Sequence, residues 1–145
     1  MTTRFKYNPL TGQFDITNNV DSIPDLDGVG ILLEYDCDAS TVVNSLAIAS
    51  DTDSNTIEPV TSNVYNGLVI GIVESKTSIT SCNVRIMGLF VYSPAGLSIG
   101  KPVFISASGE PTTTRPVTGS IQVIGMALTS TIIHLIPSGN KTTLI

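Results

Sequence analysis

The chain has 145 residues, 41% of them hydrophobic and only 13% charged, with a formal net charge of −5. That length suits one domain able to bury a core without disulfide or metal staples. Nucleic acid is excluded as a partner by the charge pattern, because phosphate backbones need clustered Lys and Arg. Residues 1–60 hold ten Asp or Glu against Arg4 and Lys6, a balance of −8, and residues 61–145 hold two against five scattered cations, a balance of +3.

Thirty residues are Val or Ile and thirty-four are Ser or Thr, against eleven Leu. β-Branched side chains are stiff in helices and pack well on a pleated surface, so the expectation is an all-β fold. The opening residues, Met1 to Pro9, contain no apolar run of the kind that marks a signal peptide. No apolar stretch approaches the roughly 20 residues of a membrane-spanning helix. The expected setting is therefore a cytoplasm, with no membrane partner, until the protein joins an assembly.

Residues 1–18 read as a separate arm. Phe5 and Tyr7 alternate with Arg4 and Lys6, Asn8-Pro9-Leu10-Thr11-Gly12 makes a turn, and Phe14 and Ile16 alternate with polar residues. Two period-2 segments around such a turn predict a hairpin. A two-stranded ribbon is marginal alone in water, so Phe5, Tyr7, Leu10, Phe14 and Ile16 are candidate partner-binding residues. The apolar surface they need is either the domain's own core or a neighbouring subunit. Residues 19–28 read as a polar linker, and residues 29–145 as the main domain.

Within that domain Val29–Tyr35 predicts a strand, and Ala39–Ser50 a strand in preference to a helix. Asp51–Asn66 reads as a long polar loop. Leu68–Glu74 and Cys82–Tyr92 form a hairpin across Ser75–Ser81, with Gly88 marking a bulge or a close backbone approach. Pro102–Ala107, Ser120–Leu128 and Thr131–Ile136 follow, the last two joined through Thr129-Ser130, and Pro137–Ile145 reads as a polar tail with a docking Leu144-Ile145. The sum is about seven to nine strands, a small antiparallel β-barrel or sandwich with an extended N-terminal arm.

Chemistry is sparsely signalled. His134, the only histidine, alternates with Ile133 and Leu135, and no nucleophile and acid can be paired with it by spacing. The pairs Asp25/Asp27, Asp36/Asp38 and Asp51/Asp53 lack the full oxygen set calcium needs; Asp51–Asn55 comes nearest, and solvated turns explain it better. Cys37 and Cys82 have no metal-ligand spacing, and buried reduced thiols are favoured over a disulfide. The expectation is no enzyme, no metal and no cofactor.

The stretch Ile70-Gly71-Ile72-Val73, Thr80-Ser81-Cys82-Asn83-Val84, Gly96-Leu97-Ser98-Ile99-Gly100-Lys101-Pro102-Val103-Phe104-Ile105 and Val123-Ile124-Gly125-Met126-Ala127-Leu128 resembles a β-barrel module of tailed-bacteriophage virion proteins. Separately, Tyr7-Asn8-Pro9-Leu10-Thr11-Gly12-Gln13-Phe14-Asp15 resembles the start of many phage tail, fibre and head-appendage proteins. The resemblance implies a virion structural protein assembled in a bacterial cytoplasm. Foremost is a capsid decoration (cement) protein, homotrimeric, bound to the major capsid protein through an arm that adds to the shell's sheet. A tail fibre, baseplate or adaptor component is the rival within that class. A receptor- or glycan-binding module is the rival outside it, with Tyr65 and Tyr92 as stacking candidates.

Overall fold

The computed structural model describes residues 2–8, 13–19 and 30–144, the first two segments by backbone pairing. Among these residues there are thirteen strands and no helix. Strands β1 (Thr2–Asn8) and β2 (Gln13–Asn19) pair antiparallel as a hairpin. Leu10 and the linker expected over 19–28 lie, save for Asn19, outside the described residues.

The other eleven strands run from Gly30 to Leu144: β3 (Gly30–Cys37), β4 (Leu46–Ala49), β5 (Thr56–Pro59), β6 (Val69–Lys76), β7 (Ser81–Val91), β8 (Pro102–Ile105), β9 (Pro111–Thr112), β10 (Gly119–Ile121), β11 (Gly125–Ala127), β12 (Ile132–Leu135) and β13 (Thr142–Leu144). β3, β5, β4, β6 and β7 are hydrogen-bonded in that order, and β7 pairs back to β3, which closes a small barrel. Only β3 and β5 run parallel. β7 is long enough to hold β3 along Ser81–Gly88 and β12 along Gly88–Val91. Through β12 the sheet continues to β11, β8 and β9, while β10 and β13 form a separate pair.

The all-β, barrel-forming expectation holds, and the strand inventory is larger than seven to nine. Three expectations are corrected. Asp51–Asn66 contains a strand, β5, which pairs with both β3 and β4. Ser120–Leu128 is two strands in different sheets, parted at Gln122-Val123-Ile124. The tail contains β13, which pairs Leu144 with Gly119.

Two cores share one sheet. The larger packs Leu46, Ile48, Ile72, Phe90, Val103, Ile105, Ile124, Ile133 and Leu135 between the barrel wall and the C-terminal strands. The smaller fills the barrel with Cys37, Ala47, Ile57, Val73, Cys82 and Val84. β4 feeds both, since Leu46 and Ile48 face one core and Ala47 the other. Each fully buried Ile or Leu stabilises the fold by about 1.5–3 kcal/mol.

Gly88 does the work expected of it. It adopts φ 107° beside Gly30 at φ 123°, and a Cβ on Gly30 would sit 2.7 Å from the Gly88 Cα. This close approach lets β3 and β7 cross where their register shifts between Ile31 and Leu32.

Two polar groups are built into these cores. Arg85 is buried opposite Ile72, and its Nη2 donates to both carboxylate oxygens of Glu74, at 2.9 and 2.7 Å. Glu74 is the extra residue where the β6–β7 register shifts, and that bulge turns it toward Arg85. Gln122 is buried between β10 and β11. Its Oε1 accepts from the Tyr65 hydroxyl and the Val69 amide, and its Nε2 donates to the carbonyls of Val69 and Ser138.

Candidate interaction surface

The β1–β2 register brings four of the five candidate arm residues together. Phe5 stands opposite Ile16 and Tyr7 opposite Phe14. Side chains alternate along a strand, and directly opposed residues share a face. Arg4 with Thr17 and Lys6 with Asp15 hold the register positions between them.

A second apolar surface, missed in the sequence, lies on β3. Ile31, Leu32 and Leu33 are 46%, 42% and 42% exposed. Residues on both faces of this strand meet solvent. The reason is topological: β7 covers one edge of β3 throughout, whereas β5 reaches the other edge only at Asp36 and Cys37. Among the described residues nothing pairs with the outer edge from Gly30 to Tyr35. Alongside runs a shallow groove of ≈ 370 Å³ whose lining includes Tyr35, Ile70, Ile86, Met87 and Ile136. Towards the far end of the strand the surface turns acidic, with Glu34, Asp36 and Asp38 all exposed.

The remaining candidates are dispersed. His134 is exposed on β12, opposite Met126 and Leu89. Asp25 and Asp27 lie outside the described residues. Asp38 accepts a hydrogen bond from the Ser40 amide at 2.8 Å, which holds its carboxyl below the usual range. Asp51 and Asp53 sit in an exposed turn where the Ser50 hydroxyl accepts from the amides of Thr52 and Asp53. Among the described residues no three Asp, Glu, His or Cys side chains are grouped to hold a metal ion. The two tyrosines considered for stacking on sugars are already engaged. Tyr92 is buried in the larger core, and Tyr65 is half-buried against it, with the Lys141 ammonium 4.5 Å from its ring centre.

Cys37 and Cys82 are free, buried thiols in the smaller core. Burial, and then the neighbouring Cys37, push the Cys82 thiol up to about 12. Burial also pushes the Tyr65 phenol up to about 12. Both groups stay neutral in the fold at a pH where the unfolded chain would ionise them. The stability they contribute is complete below their unfolded values, about 8.5 for Cys and 10 for Tyr, and is lost as pH rises towards 12. Urea midpoints measured from pH 8 to 11 are expected to fall progressively, and Cys82→Ala should flatten the part of that fall below pH 10. At pH 8 neither thiol should react with a disulfide reagent until the protein unfolds.

The chain matches no protein family, no curated protein and no solved structure.

Proposed function

We propose that this chain is a structural protein of a bacteriophage virion, most specifically a decoration protein that binds the head surface and stabilises it as a homotrimer. The observation that carries this reading is the hairpin ahead of the barrel, whose register pairs Phe5 with Ile16 and Tyr7 with Phe14, an alternation that would give it an apolar face. An isolated ribbon gains too little from its own pairing to hold such a face in water. The arm anchors the barrel by laying that face against the particle, and the barrel stands above it. The resemblance of residues 7–15 and of the stretch from Val69 onward to virion modules supports the same reading. So does the low charge of the chain, which suits a molecule packed among neighbours.

Deletion of residues 1–18 tests it. The truncated barrel is expected to fold, with an unchanged β-type far-ultraviolet spectrum, and to lose binding to undecorated capsids. Full occupancy of capsids by the truncated chain would sink the proposal. Immunogold labelling of intact particles separates the head position from a tail, baseplate or fibre position.

A further inference from the structure

We infer that Asn66-Gly67 is a self-modifying site, where the chain converts its own asparagine into aspartate and isoaspartate and so loosens the junction held by Gln122. This concerns the purified chain and does not rest on the particle reading.

The first ground is the dipeptide and its setting. Asn66 is the only asparagine of the sequence that is followed by glycine. Both residues are exposed, in a bend between Tyr65 and the start of β6. Gly67 has φ 72°, and a Cβ built on it would meet no atom within 4 Å, so the space about its amide is open. Among the described residues, neither Asn66 nor Gly67 makes a hydrogen bond through main chain or side chain. Asn55 and Asn140, also exposed, are worse placed. Asn55 precedes β-branched Thr56, and its carbonyl accepts from the Asp36 amide at 2.9 Å. Asn140 precedes Lys141, whose side chain shields the amide that would have to react.

The reaction needs only water. The Gly67 main-chain nitrogen gives up its proton and attacks the Asn66 Cγ. A new C–N bond closes a five-membered imide, and the side-chain nitrogen leaves as ammonia. Water then opens the imide. Cleavage at the side-chain carbonyl leaves aspartate; cleavage at the main-chain carbonyl leaves isoaspartate, whose main chain runs through Cγ and is one methylene longer. One water is consumed for each ammonia released, and nothing is oxidised or reduced.

The second ground is what holds the two ends of the bend. The Tyr65 hydroxyl donates to Gln122 Oε1 at 3.0 Å, and the Tyr65 carbonyl accepts from the Lys141 ammonium at 2.7 Å. Val69 is bound to the same Gln122 amide through both its N–H and its C=O, at 2.9 and 3.0 Å. One buried side chain therefore sets the span from Tyr65 to Val69. A longer main chain strains that span, and the Tyr65 hydroxyl, held by a single bond, is the end that gives way. The new carboxylate also enters a hollow of ≈ 300 Å³ lined by Asp51 and Glu58. Both are exposed, so the added repulsion is the smaller effect.

The full chain is aged at pH 8 and 37 °C, digested and resolved by mass spectrometry, with isoaspartyl methyltransferase labelling to tell the two products apart. The Asn66 peptide is expected to show the amide-to-acid mass shift at least about tenfold faster than the peptides of Asn55 and Asn140. It should accept the methyl label, and it should change more slowly at pH 6. Equal rates at the three asparagines, or loss of the amide without isoaspartate, would overturn the site. Aged protein is expected to unfold at a lower urea concentration than fresh protein. N66Q, whose longer side chain closes the ring poorly, should keep its starting midpoint through the same treatment. N66D carries the charge on a normal main chain and should fall less than aged protein. A fall in N66D as large as that of aged protein, or no fall in aged protein, would overturn the loosening.

Discussion

Replacing Glu74 by alanine is expected to lower the unfolding free energy by about 3–5 kcal/mol, read as a shift of the urea midpoint at constant slope. The argument begins with burial. The Arg85 side chain is 2% exposed and its Nη2 meets both oxygens of Glu74. A guanidinium cannot shed its proton at accessible pH, so it stays charged in the wall of the larger core when the carboxylate is removed. The penalty is the loss of a charge-assisted contact to two carboxylate oxygens from a buried guanidinium, larger than the attraction a surface pair supplies. Glu74→Gln should recover part of the loss, because the amide oxygen still accepts one of the two hydrogen bonds. The double change Glu74→Gln with Arg85→Met should be milder than Glu74→Ala alone, since it removes the charge together with its partner. A Glu74→Ala loss below about 1 kcal/mol would place this pair among ordinary surface pairs.

How much of this was legible in the sequence depends on what each residue's environment owes to its neighbours in the chain. Strand β12 was readable because its period-2 pattern matches its burial: Ile133 and Leu135 are fully buried and His134 between them is exposed. Gly88 was readable because a glycine inside a strand marks close backbone approach, and here it faces Gly30, whose Cβ would meet the backbone of Met87 and Gly88. The short strands β5, β9 and β13 escaped because two to four residues cannot establish a period. Thr56–Pro59 becomes a strand through its pairing with β4, just before it in the chain, and with β3, farther upstream. β10 and β11 escaped for the opposite reason, since one continuous apolar run hid a break at Gln122. The candidate surface was half legible. Alternation made residues 1–18 a candidate, whereas Ile31-Leu32-Leu33 carries the unbroken apolar pattern of a strand buried on both sides. It is exposed on both because no described strand follows it at the barrel's edge, a fact of topology that local sequence does not contain.

That break at Gln122 leads to the second large effect. Gln122→Leu keeps the size of the side chain and removes every polar atom at its end, and it is expected to cost about 3–5 kcal/mol. Four hydrogen bonds end on this amide: the Val69 amide and the Tyr65 hydroxyl donate to it, and the Val69 and Ser138 carbonyls accept from it. Gln122 is 1% exposed, so water does not replace the lost partners without opening the structure. Because the bonds converge from the start of β6, the loop holding Tyr65 and the approach to β13, their loss should be felt far from residue 122 in sequence. Limited proteolysis is therefore expected to cut Gln122→Leu protein between residues 137 and 144 under conditions that leave the parent chain intact. Tyr65→Phe provides the graded comparison. It deletes one donor and leaves the Val69 and Ser138 bonds in place, so its expected loss is about 1 kcal/mol, with the tail still protected. Equal losses from the two variants would mean that the Tyr65 hydroxyl, and not the amide's grip on the backbone, holds this junction together.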